Sequence, residues 1–357
     1  MTRDYSQFMP TAAASATSRT LSALEVLGWQ SFFAQQTDVD ALEQTPPVRV
    51  TEVHRSGLRV KGDGIDATLP PSVEATVGDW VLLDQVLPQD SVVLERKSLI
   101  KRRAPGHDRS VQLIGANIDT VFVVTSCNAD FNVARLERFV ALAFEAEVAP
   151  VIVLTKADLC DDPSGYVEQA EQVSPDVPVL LLDARGGDPA EKLAPWCKPG
   201  QTVAFLGTSG VGKSTMVNAL SGNQKVETQG IREDDARGRH TTTYRHLHVL
   251  PDGACVLDTP GMRELQLTDA ATGLGEVFAD LEELAAQCKF NDCAHDTEPG
   301  CAVTAAIEAG QIDAARQARW QKLVAEDKFN STTLAERKAS DKSLGKLIKG
   351  IQKKNRK

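Results

Sequence analysis

The sequence predicts a multi-domain α/β protein: a small β-barrel of the OB type, an α/β domain with a mostly parallel sheet, and a C-terminal helical domain. Three observations carry this. Several short alternating strands fall between residues 48 and 99. Apolar runs of strand length then alternate with helical stretches up to about residue 258. Beyond Asp269 the strand pattern stops, helical periodicity takes over, and three cysteines crowd between Cys288 and Cys301.

The 357 residues suffice for two or three domains. Hydrophobic residues are 42% and charged residues 25%, as in an ordinary globular protein. A net charge of -10 argues against nucleic-acid binding by the whole surface but leaves room for a local basic patch. The N-terminus lacks a basic start followed by an apolar stretch, and the longest apolar runs, such as 121–124, are too short to span a bilayer. A cytoplasmic protein with no membrane association is expected. The seven cysteines then suit metal binding where they cluster, and burial where Cys127, Cys160, Cys197 and Cys255 are scattered.

In chain order, residues 1–46 form an N-terminal extension. Its first 20 residues are rich in Ala, Ser and Thr and are expected to be disordered, and a helical stripe follows over 21–36. Residues 47–103 form the barrel, with turns at Gly57 and Gly62–Gly64 and further strands at 79–83 and 92–94. An SH3-like barrel would give a similar pattern. The basic stretch 101–106 reads as a linker. Residues 104–270 hold the α/β domain, with strands expected at 121–125, 151–154, 179–182, 203–206 and 254–257 and a helix at 135–145. Residues 271–334 form the helical domain, with helices near 279–286, 303–308 and 312–326, and 335–357 form a basic tail.

The chemistry begins at Gly207-Thr208-Ser209-Gly210-Val211-Gly212-Lys213-Ser214-Thr215, a complete G-x-x-x-x-G-K-[ST] loop between a strand and a helix. Its glycines turn successive N–H groups toward phosphate oxygens, and the helix N-terminus adds a favourable dipole. Lys213 is expected on the β- and γ-phosphates and Ser214 on Mg²⁺. Asp258-Thr259-Pro260-Gly261 follows the next strand; the expected roles are Asp258 on Mg²⁺ and the Gly261 N–H on the γ-phosphate. Thr155-Lys156-Ala157-Asp158 ends another apolar strand. A carboxylate at Asp158 can accept from both the ring N–H and the amino group of guanine, a pairing adenine cannot match. Thr155 stands where Asn is more usual. A last base-contacting loop is expected at Asp183-Ala184-Arg185, through the backbone around Ala184.

The base-reading segment precedes the phosphate loop, whereas in an ordinary GTPase it follows. The α/β domain is therefore read as a circularly permuted P-loop GTPase domain. Between the loop and Asp258 lies Arg237-Gly238-Arg239-His240-Thr241-Thr242-Thr243, suited to a segment that orders around a γ-phosphate. Thr242 is the candidate to complete the Mg²⁺ shell. Met262 stands where many GTPases place a water-orienting Gln, and Met cannot position a nucleophile. His240 is therefore the catalytic candidate, with a partner-contact role as the alternative.

Cys288, Cys293, His295 and Cys301 supply three thiolates and one imidazole, a tetrahedral set that fits one structural Zn²⁺ and makes the last domain a helical zinc-binding domain. In the tail, nine basic residues from Arg337 to Lys357 outnumber Glu336 and Asp341 and are candidates for RNA phosphate contact, a solvated tail being the alternative. Trp320 suits a helix core better than a base-stacking platform.

Over roughly residues 21–330 the chain resembles the bacterial ribosome small subunit-dependent GTPase A (RsgA) family. The resemblance rests on Val77-Gly78-Asp79-Trp80-Val81, Ala116-Asn117-Ile118-Asp119-Thr120, Leu154-Thr155-Lys156-Ala157-Asp158-Leu159, the loop 207–215, Gly238-Arg239-His240-Thr241-Thr242, Asp258-Thr259-Pro260-Gly261 and the Cys288 to Cys301 cluster with Glu298-Pro299-Gly300. It implies a late assembly factor of the 30S subunit that contacts 16S rRNA and hydrolyses GTP to GDP and phosphate slowly alone and faster with the subunit. A monomer is expected. The chain departs from the family at Met262, usually bulkier and aromatic, and at 183–185, which lacks the common Ser-Ala. Two other readings stay open: an RNA-binding nucleotide sensor with negligible turnover, and a P-loop kinase or ATPase.

Overall fold

Alternating and continuous apolar runs build the strands of one long mixed sheet. The computed structural model describes residues 20–38, 40–103, 111–183, 188–221, 245–258 and 267–331. It divides into two units: Met1–Leu265 with Thr272–Ala279, and Gln266–Ala271 with Asp280–Lys357.

In the first unit, short helices α1 (Ala23–Val26) and α2 (Ser31–Ala34) occupy the stretch where the sequence suggests one helical stripe. Gly28, at φ 91°, ends the first turn. Phe33 and Leu27 then pack with Trp80 and Leu94 in a small aromatic core.

The barrel strands are β1 (Pro47–His54), β2 (Gly57–Gly62), β3 (Asp66–Leu69), β4 (Trp80–Leu82) and β5 (Val92–Val93), ordered β3-β2-β1-β4-β5 around Val48, Val50, Leu58, Val60, Leu69 and Val81. A register shift between Val50 and Glu52 bends β1. Its first half pairs β4, while Glu52 and Val53 pair a strand of the nucleotide domain.

Leu99–Arg103 is strand β6, paired antiparallel with β7 (Val111–Ala116). The basic stretch that reads as a linker thus begins as a hairpin arm, because backbone pairing in a two-stranded sheet needs no apolar alternation.

The nucleotide domain contributes β8 (Thr120–Ser126), β9 (Ala149–Thr155), β10 (Val179–Leu181), β11 (Thr202–Leu206), β12 (Arg245–Val249) and β13 (Cys255–Asp258). The order is β10-β9-β8-β11-β13-β12, continuing through β1 into the barrel. The first five are parallel and β12 is antiparallel. Strands β8 and β9 are buried along their whole length, which explains their unbroken apolar sequence. Helices α3 (Val133–Glu145), α4 (Ser164–Glu171), α5 (Asp188–Leu193) and α6 (Lys213–Leu220) accompany the sheet, and α7 (Ala271–Val277) follows it. Gly273 on α7 has no room for a side chain against the Ala141 carbonyl of α3.

The joint between barrel and sheet is polar, with buried charges that are hydrogen-bonded, while the buried Trp80 Nε1 and Arg245 Nε have no partner among the described residues. Buried Arg49 donates to the carbonyls of Leu27, Gly78 (3.2 Å) and Asn117 (3.1 Å). Desolvation lowers its pKa, opposed by the fields of Cys255, Asp119 and Asp79. Asp79, fully buried, accepts from the Thr76 N–H (2.7 Å) and from both arms of Arg96 (2.8 and 2.9 Å). Asp119 accepts from the Thr202 N–H and from Lys97, both at 2.8 Å. Gly78 sits at φ 91° where a Cβ would strike the Ala116 carbonyl.

The second unit holds α8 (Ala279–Ala285), α9 (Ala302–Glu308) and α10 (Ala314–Ser331), with Trp320 and Leu323 buried on α10. The Arg316 fork on Asp280 (2.9 and 3.0 Å) ties the last helix to the start of α8.

Candidate functional site

In a parallel sheet the loops after the strands gather at the carboxyl edge, where ligands bind. The sequence motifs fall there. The phosphate loop leaves β11, the base-reading segment leaves β9, Asp183 follows β10, and Asp258 ends β13. His240, Thr242, Ala184 and Gly261 lie outside the described residues, and for Asp258 only the backbone is described.

The loop from Gly207 to Gly212 is folded as a phosphate cradle requires. Gly207 (φ 148°), Gly210 (φ 78°) and Gly212 (φ 97°) adopt backbone angles that favour glycine. At Gly207 the restriction is also spatial, since a Cβ would collide with the Val124 carbonyl. Gly212 caps α6, so Lys213, Ser214 and Thr215 open the helix with their N–H groups still unused by it. Lys213 Nζ donates to the carbonyls of Gly207 (2.7 Å) and Thr208, spanning the loop. Val211 is buried and Met216 and Val217 anchor the helix in the core. Ser209 and Gly210 are exposed at the tip.

Thr155 has a role the sequence did not disclose. Its fully buried hydroxyl lies 2.7 Å from the Val211 carbonyl and 3.1 Å from that of Thr125, linking the base-reading segment to the phosphate loop. Lys156 takes a left-handed conformation (φ 58°) and starts a short 3-10 turn over Ala157–Leu159, which leaves Asp158 exposed at the sheet edge. The arrangement places a cation stem and a carboxylate beside an anion cradle, as a nucleotide with a base to be read would need.

In the second unit, the donor atoms of Cys288, Cys293, His295 and Cys301 all lie within 4.8 Å of one another. Two thiols stand 3.5 and 3.6 Å from His295 Nδ1, and Cys288 Sγ is 3.9 Å from Cys301 Sγ. A zinc tetrahedron with bonds of about 2.3 Å to sulfur and about 2.0 Å to nitrogen has S···N edges of about 3.5 Å and S···S edges of about 3.8 Å. The donor set therefore fits a metal in both chemistry and spacing.

The loop that carries these donors is held from outside. Glu298 accepts from the N–H groups of Ala294 (2.9 Å), Asp296 (3.0 Å) and Thr297 (3.1 Å), which brings its carboxyl down to about 2. From α10, Gln317 donates to the His295 carbonyl (2.7 Å) and Gln321 to that of Ala294 (2.9 Å), while Trp320 lies 5.4 Å from the imidazole. Gln317 and Gln321 were visible in the sequence only as polar residues on a helix. Among the described residues no helix is long and apolar enough to cross a membrane.

Comparison with known proteins agrees with this geometry. The family model described as RsgA GTPase matches residues 93–268. A model described as ABC transporter matches 192–349, a span containing the phosphate loop, the element common to both families. The curated small ribosomal subunit biogenesis GTPase RsgA 2 of Vibrio parahaemolyticus is 48% identical over 95% of each chain. A small ribosomal subunit biogenesis GTPase RsgA from Mesorhizobium japonicum is 48% identical over 87% of this chain and 91% of its own. Among solved structures, YjeQ from Thermotoga maritima aligns with a TM-score of 0.57 at 25% identity, covering 78% of this chain and 97% of that one. YloQ, a circularly permuted GTPase, aligns with a TM-score of 0.55 at 21% identity, covering 83% of this chain and all of that one, and supports the fold.

Proposed function

This chain belongs to the RsgA GTPase family and is a GTP hydrolase, and we propose that it acts as a late assembly factor of the small ribosomal subunit. In this reading it binds 16S rRNA and the 30S particle as a soluble, cytoplasmic monomer, and the particle stimulates its turnover of GTP to GDP and phosphate. The relatives at 48% identity carry small-subunit biogenesis in their names. The observation that carries the chemistry is the glycine-shaped loop 207–212, set beside Thr155 and Asp158 at one sheet edge.

The roles follow from the donors each residue offers. Gly207, Thr208, Ser209, Gly210, Val211 and Gly212 surround the phosphates with backbone N–H groups, and Thr215 continues them into the first turn of α6. Lys213 exchanges its carbonyl partners for phosphate oxygens. Thr155 holds the two halves of the site in register, Lys156 and Ala157 flank the base, and Asp158 accepts the two guanine donors. Ala184 and Gly261 add backbone contacts. Ser214, Asp258 and Thr242 hold Mg²⁺, which when bound neutralises charge on the phosphates. His240 orients the attacking water. Cys288, Cys293, His295 and Cys301 hold one structural Zn²⁺ that fixes a closed loop. The barrel spans 47–103, the nucleotide domain 104–270 and the zinc-binding domain 271–334, with the stretch Thr272–Ala279 of the last grouped with the first unit.

The permuted order places the segment after Asp258 directly ahead of the second unit in sequence, so nucleotide state has a short covalent route toward it. The test is 30S affinity in the presence of a non-hydrolysable GTP analogue and of GDP. Tighter binding with the analogue is expected, and equal affinity would contradict the reading, because coupling between two ligands is reciprocal.

A further inference from the structure

A row of paired residues crosses five strands from the barrel to the end of β13. Thr68 on β3 lies opposite Arg59 on β2, Arg59 opposite Glu52 on β1, Glu52 opposite His246 on β12, and His246 opposite Asp258 on β13. Residues directly opposite on adjacent strands are near neighbours and influence one another through their side chains.

Glu52 is the node of this row. Its carboxylate accepts from Arg59 Nη1 (3.2 Å), lies 2.8 Å from His54 Nε2, and lies 2.9 Å from His246 Nε2. Arg59 is itself held in a two-armed pair with Asp66, at 3.0 Å on each arm. His246 in turn packs against His248, with ring centroids 4.0 Å apart and the planes tilted by 49°. The barrel therefore presents a carboxylate already oriented from its own side, and β12 meets it with one imidazole.

The seam this contact reinforces is short. Strands β1 and β12 share two residue pairs, Glu52 with His246 and Val53 with Arg245. Along the strand order, this pairing joins the barrel strands to the nucleotide sheet. His246 also lies opposite Asp258, at the end of a four-pair ladder between β12 and β13.

We propose that Glu52 is a positioning residue for GTP hydrolysis: by holding His246 it fixes β12 against β13 and so sets the place of Asp258. The inference rests on the assignment of Asp258 to Mg²⁺. It makes the barrel a contributor to the nucleotide site rather than a passive neighbour, through a link that touches neither nucleotide nor metal.

The test uses the full-length protein and measures GTP turnover against free Mg²⁺ at saturating GTP for wild type, Glu52→Ala, Glu52→Gln and Asp258→Asn. Glu52→Ala is expected to raise the Mg²⁺ concentration for half-maximal turnover about threefold, within the range of a cross-strand pair. Glu52→Gln keeps an oxygen acceptor for His246 and is expected to stay close to wild type. A solely structural role would lower the melting temperature and leave the Mg²⁺ titration where it was. An unchanged titration in a folded Glu52→Ala, or an equal displacement in Glu52→Gln, overturns the proposal. Should Glu52→Ala not fold, His246→Asn on the intact barrel carries the same expectation. Asp258→Asn separates the two layers. If it titrates like wild type, the Mg²⁺ assignment falls and the proposal with it. If it loses its Mg²⁺ response while Glu52→Ala and His246→Asn are unaffected, the proposal alone falls.

Discussion

The phosphate loop and the Cys/His loop are both short segments wrapped around a place for an ion, yet they are built from opposite materials. The first offers main-chain N–H groups, and its shape depends on what is missing from Gly207, Gly210 and Gly212. The second offers side chains, and its shape depends on Cys288, Cys293, His295 and Cys301 being present. The phosphate loop is also fastened to a buried sheet, through Val211 and the Thr155 hydroxyl. The metal loop is propped by Glu298 and two glutamines of α10. A backbone site should therefore fail when atoms are added, and a side-chain site when atoms are removed.

The largest expected effect breaks the metal side of that comparison. Chelation, or Cys301→Ser, should cost the second unit most of its stability, since structural zinc contributes on the order of 10 kcal/mol in small zinc domains. Zinc content by atomic absorption and limited proteolysis after residue 266 would record it, and nucleotide binding in the first unit should persist. A chelated protein with unchanged proteolysis would contradict the role given to the cluster.

Gly207→Ala is the matching test on the other side. It adds one carbon where the Val124 carbonyl already stands and imposes strain of about 1–3 kcal/mol on the backbone. Nucleotide affinity should fall at least tenfold, on the order of 1.4 kcal/mol or more, with zinc content unaltered. A milder result is expected from Thr155→Val, which keeps the shape and removes the hydroxyl linking two loops. Its loss should weaken GTP binding by about 1–2 kcal/mol in a nucleotide titration. No change would mean that the two halves of the site are held by packing alone.

The smallest expected effect concerns acid. His248 is pushed down to about 4 by burial and by the neighbouring His246, with Glu52 opposing. The unfolded imidazole takes up its proton near pH 6.5. The unfolded chain therefore binds that proton first, and stability present above pH 6.5 is lost as pH falls toward 4. In His248→Asn the melting temperature should fall less steeply between pH 6.5 and 4.5, by roughly 2 °C. Parallel curves for the two proteins would remove His248 from the acid response.

Much of the architecture was legible because its signals are local. The order of 155–158 before 207–215 announced the permutation, and the buried strands β8, β9 and β11 wrote themselves as apolar runs. The spacing from Cys288 to Cys301 announced a metal loop whose donor distances then fit one. What escaped was non-local. The strand β12 contains an arginine and two histidines and lacks an apolar run, because only Leu247 enters the core while His246 meets Glu52 and a neighbouring imidazole. Its pairing with β1 joins residues about 190 positions apart, which no window of sequence can report. The arm β6 was hidden by its three basic residues, and the helical stripe over 21–36 did not reveal the break at Gly28. For the site, Thr155 could be recognised as an unusual residue in its motif, but its tie to Val211 required the folded chain.

The most direct measurement is GTP turnover by the purified protein with and without purified 30S subunits, with ATP as control. The account predicts slow turnover alone and strong stimulation by the subunit, confined to GTP. Tight GTP binding with turnover that the subunit leaves unchanged would contradict it and favour an RNA-binding nucleotide sensor.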